Sequence, residues 1–216
     1  MAVSLASPTP TAAAPLWLAH VQQRVEAELR SLFVLPDEVG LDVRWTQAMA
    51  HAQAYTLRPA KRMRPALVAL GHGIARGSTA VPERLWRFAA GFELLHTFLL
   101  IHDDVADGAE LRRGGPALHR LLGGGKPGAD LAVVVGDHLF ARSVEAMLES
   151  GLPSASRAVQ YYLGICRHTA AGQYLDIDLG RTPLGDVSLT QVLRVARLKT
   201  ARYGFVAPLV CGATKP

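Results

Sequence analysis

Residues 82–107 hold helical periodicity without a break, and this run limits the possible folds more than any other stretch. Leu85, Phe88, Ala89, Phe92, Leu95, His96 and Leu99 recur at spacings of three and four and make a wide apolar face. The run reaches Phe98-Leu99-Leu100-Ile101, which must be buried, so other helices have to cover it. The rest of the chain supplies them. Leu18, Val21, Val25, Leu29 and Phe33 predict a helix over 16–35, and a second follows over 41–55 after the break at Pro36-Asp37-Glu38. Leu67, Leu70 and Ile74 predict a third, with Pro65 in its first turn. Helices are also predicted over 130–148, with Leu131, Val134, Val135, Leu139 and Val144 inward, and over 154–179. A last helix starts at Ser188, where Gln191 stands at the capping-box position. Strand signal is scarce. The pattern predicts an all-α single domain, an antiparallel helical bundle around one central apolar cavity.

The 216 residues suffice for one domain, read here as 16–216 behind a disordered tail over 1–15 that is rich in Ser, Thr, Pro and Ala. Half of the residues are hydrophobic and the net charge is +5, with no basic run interleaved with aromatics. That composition argues against nucleic acid as a partner. Cys166 and Cys211 are too few and too far apart for a disulfide framework or a zinc site. No stretch is apolar for long enough to span a membrane. The first fifteen residues carry no Lys or Arg, against a secretory or transit signal, so a cytoplasmic location is expected.

The long helical run ends in His102-Asp103-Asp104-Val105-Ala106-Asp107, with Arg112 and Arg113 close behind. Carboxylates this close repel one another unless they are solvated or neutralised by cations. Asp103 and Asp107 are four apart and share a helical face. Mg²⁺ takes hard oxygen ligands, commonly one or two carboxylates plus substrate phosphates, and a guanidinium grips phosphate in a fixed fork. Many acidic helix ends are merely solvated surface. Here the acids directly follow a buried run, which makes them the rim of a pocket. A second charged stretch, Arg58 to Arg64, stands at a helix start, where basic side chains and free N–H groups can hold an anion.

The segment HTFLLIHDDVADGAELRRGGP resembles the first aspartate-rich motif, DDxxD followed by RRG, of the trans-isoprenyl diphosphate synthases. Further matches follow in order. Lys61 and Arg64 resemble the Lys and Arg of GGKxxRP, with Pro59 and Ala60 in place of its two glycines. Pro116 to His119 resembles PTxH with Ala117 for Thr, Gly136-Asp137 resembles GD, Gly172 to Asp176 resembles GQxxD, and Lys199-Thr200 resembles the KT pair. The glycine-rich 123–128 lacks a P-loop ending and is read as a flexible turn.

The resemblance implies a Mg²⁺-dependent prenyltransferase that condenses isopentenyl diphosphate with an allylic diphosphate, as a homodimer. It implies Asp103, Asp104 and Asp107 as metal ligands. It implies Arg112, Lys199, Thr200 and Gln173 around the allylic diphosphate, and Lys61, Arg64, His96 and Arg113 around the isopentenyl diphosphate. Phe98 and Leu99, a little over one turn before Asp103, would floor the cavity for the growing chain and point to a C20 product, with C15 second. No DDxxD-like cluster follows residue 107, so the C-terminal third of the family pattern is expected to be missing and the chain alone to turn over little. The alternatives are a non-catalytic short subunit of a hetero-oligomeric synthase and a class I terpene cyclase.

Overall fold

The helix carrying the acids, α4 (Glu83–Asp107), is covered on nearly every side. The computed structural model describes residues 13–34 and 42–215. Around α4 stand α1 (Ala13–Leu32), α2 (Val43–Thr56), α3 (Met63–Arg76), the short α5 (Leu118–Leu121), α6 (Gly125–Leu148) and α7 (Ala155–Leu179). The chain then runs without a gap through α8 (Leu189–Val195), a π-helix over Ala196–Val206 and α9 (Ala207–Ala213). The result is a helical bundle with two cores, one on each side of α4. Trp86, Leu94 and Ile101 face a core shared with α1, α2 and α6. Leu85, Phe88, Phe92 and Leu95 face another shared with α7, the π-helix and α9. Each such side chain, fully buried, stabilises the fold by about 1.5–3 kcal/mol. No described helix is long and apolar enough to cross a membrane.

Helix boundaries follow local chemistry. Gly108, at φ 64°, caps α4 by giving its N–H back to the carbonyls of Asp104 and Val105, which ends the helix at Asp107. Ser188 and Gln191 form the expected capping box on α8. A π-helix of this length is rare. Pro208, just past its end, has no N–H to give to the ladder, in keeping with the widened turns before it.

Several expectations need correction. Residues 13–15 belong to α1 rather than to a tail, while 1–12 and the break at 36–38 lie outside the described residues. Leu131 and Val134 are exposed, at 53% and 56%, whereas Val135 and Leu139 are buried as expected and Ala132 joins them. Leu70 and Ile74 of α3 are likewise exposed, and Val68 and Ala69 are buried. Residues 125–128 are the first turn of α6, not a loop. The only strand pairing among the described residues is a hairpin of β1 (Leu111–Arg112) and β2 (Gly115–Pro116).

Candidate active site

Asp103 stands at the meeting point of α4, α7 and the π-helix. Its Oδ1 accepts hydrogen bonds from Gln173 at 3.0 Å and Lys199 at 3.1 Å, and Lys199 also reaches Asp176 at 2.6 Å. Gly172 makes this possible: a Cβ there would collide with the backbone N of Lys199, so only glycine lets α7 and the π-helix approach so closely. Asp103, Gln173 and Lys199 line a cavity of about 410 Å³, together with Leu99, Leu100, Thr200 and Tyr203. A second, largely apolar cavity of about 410 Å³ shares Leu99, His102, Thr169 and Gln173 with it and continues past Phe98 to Phe140 and Cys166. The two rings that close this far end, Phe98 and Phe140, have centroids 5.3 Å apart.

The three aspartates are not equivalent. Asp103 is half-buried at the cavity, and Asp107, one turn on, is exposed. Asp104 is fully buried and turned the other way. Its Oδ2 accepts from the Tyr55 hydroxyl at 2.7 Å, and its Oδ1 accepts from Arg112 Nε at 2.7 Å and from the same guanidinium's NH2 nitrogen. Burial and the bond to Asp104 raise the pKa of Tyr55 above its ordinary value, so it remains a neutral donor. Among the described residues no three His, Cys, Asp or Glu side chains converge to hold a metal. Asp103, at the cavity, and the exposed Asp107 could offer oxygens to a cation, whereas both oxygens of Asp104 are engaged by Tyr55 and Arg112.

The hairpin separates the two arginines. Arg113 and Gly114 occupy its two-residue turn with φ of 50° and 76°, both left-handed as a type I′ turn requires. Arg112 then reaches Asp104, while Arg113 Nη2 lies 3.4 Å from Glu93. Arg113 thereby enters a third, smaller cavity of about 250 Å³, lined also by Lys61, Arg62, Arg64, Glu93 and His96. Four cations thus face one carboxylate. Arg62 and Glu93 are both buried and pair at 2.6 Å.

His96 in this cavity is neutral: burial first, then the nearby Arg64 and Arg113, push its pKa down from 6.5 to about 2. An unfolded chain takes up a proton at this histidine below 6.5 while the folded one does not. Stability from this group is therefore complete above that pH and declines on acidification. Between pH 7 and pH 5 the wild type is expected to lose about 2 kcal/mol that His96→Gln does not lose. Urea unfolding of both proteins at the two pH values measures the difference; parallel losses would refute it.

The model of the polyprenyl synthetase family matches residues 46–215. The chain belongs to the polyprenyl synthetase family. A short chain isoprenyl diphosphate synthase of Methanothermobacter thermautotrophicus is 34% identical over 156 residues, which are 72% of this chain and 43% of that protein. A geranylgeranyl diphosphate synthase of Saccharolobus solfataricus is 31% identical over 145 residues, 65% of this chain and 41% of the relative. Among solved structures, geranylgeranyl pyrophosphate synthase from Corynebacterium glutamicum, complexed with isoprenyl diphosphate and magnesium, aligns with a TM-score of 0.78 at 29% identity. That alignment covers 91% of this chain and 58% of the other. The chain thus spans less than half the length of these two curated relatives.

For a member of the polyprenyl synthetase family, the structure adds residues that the motifs did not single out. Tyr55 holds Asp104, Arg62 and Glu93 form the buried pair, Phe140 meets Phe98, and Tyr203 stands between the larger and the smaller cavity. Tyr203 lies four residues after Lys199 on the same helix, a spacing that could have marked it. Arg58, whose Nη1 donates to the carbonyl of Arg112 at 2.8 Å, braces the hairpin.

Proposed function

We propose that the chain provides the substrate sites of a Mg²⁺-dependent prenyltransferase that joins isopentenyl diphosphate to an allylic diphosphate, yielding a C20 product with C15 second. One observation carries this reading: two cation-bearing cavities meet at Tyr203, and the larger one combines the Asp103 carboxylate with an apolar extension. A cyclase ionises a single diphosphate and has no use for the second cavity, where four cations outnumber one carboxylate.

In this reading the smaller cavity holds isopentenyl diphosphate between Lys61, Arg64, Arg113 and His96. The larger cavity takes the allylic diphosphate, with Lys199 and Thr200 beside it and Gln173 keeping Asp103 in place. Mg²⁺ held by Asp103 and Asp107 would neutralise and orient the leaving diphosphate. Arg112, committed mainly to Asp104, acts on that group through the field it adds at the cavity mouth. The prenyl tail runs between α4, α6 and α7, where Leu95, Leu99, Phe98 and Phe140 keep water away from the developing cation. The proton released on condensation goes to a diphosphate oxygen. A homodimer would cover the exposed Leu131 and Val134 of α6, and two free cysteines accord with a cytoplasmic setting.

Calorimetry tests this without relying on turnover. Isopentenyl diphosphate should bind without Mg²⁺, whereas unreactive prenyl thiolodiphosphates should require it. Affinity should rise from C10 to C20 and drop at C25, and Phe98→Ala should extend it to C25 by opening the closed end. Mg²⁺-independent binding of the thiolodiphosphates would defeat the metal assignment, and an unaltered length profile in Phe98→Ala would defeat the floor.

A further inference from the structure

Tyr203 belongs to both halves of the site. Its side chain lines the larger cavity, yet its hydroxyl serves two residues of the smaller one. Arg64 Nη2 lies 2.6 Å from that oxygen and the guanidinium sits over the phenol ring, 4.5 Å from its centroid. His96 Nδ1 lies 3.0 Å from the same oxygen. A guanidinium can only donate, so the phenol oxygen accepts from Arg64 and has one proton left to give. His96 Nδ1 is the acceptor within reach. A neutral imidazole that accepts at Nδ1 carries its own proton at Nε2.

We infer that Tyr203 is a positioning residue for the basic cavity: its hydroxyl, gripped by Arg64, holds the His96 ring in one orientation and as the Nε2–H tautomer, ready to donate to a diphosphate oxygen. Arg64 cannot accept, so its own bond has a fixed direction; that the Tyr203 proton then goes to His96 Nδ1 is part of the inference. The neutral state of His96 fits this role, because burial and the surrounding arginines disfavour a second ring proton. The same hydroxyl steadies the Arg64 guanidinium, so a single atom orders two donors to one anion. Its place on the π-helix, four residues after Lys199, ties that order to the element that lines the allylic side. The ligand half of the inference rests on the reading of the smaller cavity as the isopentenyl diphosphate site; the tautomer half does not.

Two measurements separate these parts. Long-range ¹H–¹⁵N spectra of histidine-labelled protein report which nitrogen carries the proton. Wild type should give a single His96 signal set with bare Nδ1 and protonated Nε2, and Tyr203→Phe should give mixed tautomers or ring orientations. A protonated Nδ1 in wild type, or an unchanged spectrum in the variant, would overturn the proposal. The wild-type spectrum decides the tautomer even if the variant does not fold. Calorimetry then reads the ligand. Tyr203→Phe should bind isopentenyl diphosphate about tenfold more weakly, the loss expected for one weakened bond to a charged group. Geranyl thiolodiphosphate with Mg²⁺ should bind within about twofold of wild type, because Asp103, Lys199 and Thr200 remain in place. Equal or tighter binding of isopentenyl diphosphate by the variant would overturn the positioning role. Failure of wild type to bind it at all would instead overturn the substrate reading of the cavity and leave the tautomer result standing.

Discussion

Asp104→Ala is expected to destabilise the fold by about 2–4 kcal/mol, whereas Asp103→Ala should cost less than about 1 kcal/mol and abolish Mg²⁺-dependent diphosphate binding. The two residues are neighbours in sequence and opposites in environment. Asp104 is fully buried and accepts from Tyr55 and Arg112. Removing it strands the Tyr55 hydroxyl inside the bundle and leaves Arg112 without its counter-charge. Arg112 is 29% exposed, so water softens part of that loss and the estimate stays below the value for a closed pair. Removing Asp103 breaks bonds to Gln173 and Lys199 and a longer contact with Arg112 at 3.9 Å, all of them groups that solvent can reach. Urea unfolding and Mg²⁺-dependent calorimetry on both variants give the comparison. If Asp104→Ala unfolds like wild type and loses only metal-dependent binding, Asp104 is a ligand and the division drawn here is wrong.

This contrast also marks how far the sequence could be read. The spacing of Asp103 and Asp107 gives their shared face directly, since side chains four apart on a helix meet. Asp104 turns roughly 100° away from Asp103, and what waits there is Tyr55 from a distant helix, which no local pattern announces. The apolar face of α4 was legible for the same reason as the shared face. Its burial on the other sides was not, because the partners of Glu93 and His96 there are Arg62, Arg113 and Tyr203, which come from other parts of the chain. Periodicity also ranks residues by face and not by what covers the face, so Leu131 and Val134 looked internal on α6 and are exposed. The hairpin at Arg112–Gly115 is too short to carry an alternating pattern, yet it sends one arginine to each side of the site. Tyr55, Glu93 and Phe140 stood outside the motifs because each meets its partner only through the packing of separate helices.

Glu93→Gln tests the charge balance of the smaller cavity, and its expected cost is about 3–5 kcal/mol, part of which inorganic pyrophosphate should restore. Glu93 is 1% exposed and Arg62 2%, and their ion pair at 2.6 Å is closed to solvent. Arg62 also donates to the carbonyl of Thr56 at 3.0 Å, and its Nε has no hydrogen-bond partner. Arg113 draws on the same carboxylate at 3.4 Å. The amide of Gln keeps the shape and an acceptor oxygen but removes the charge, so two guanidinium groups are left to repel one another with Lys61 and Arg64 beside them. Breaking a buried pair is costly for this reason, even where the intact pair adds little. An anion in the cavity would supply the missing charge. Pyrophosphate at a hundredfold over its dissociation constant stabilises a protein by about 2.7 kcal/mol, and its affinity should be higher for the variant than for wild type. Thermal unfolding of both proteins across a pyrophosphate series reads this as a larger upward shift in Tm for Glu93→Gln. An equal or smaller shift would mean that an anion in the cavity does not interact with the charges that Glu93 balances, and the cavity would lose its standing as a diphosphate site.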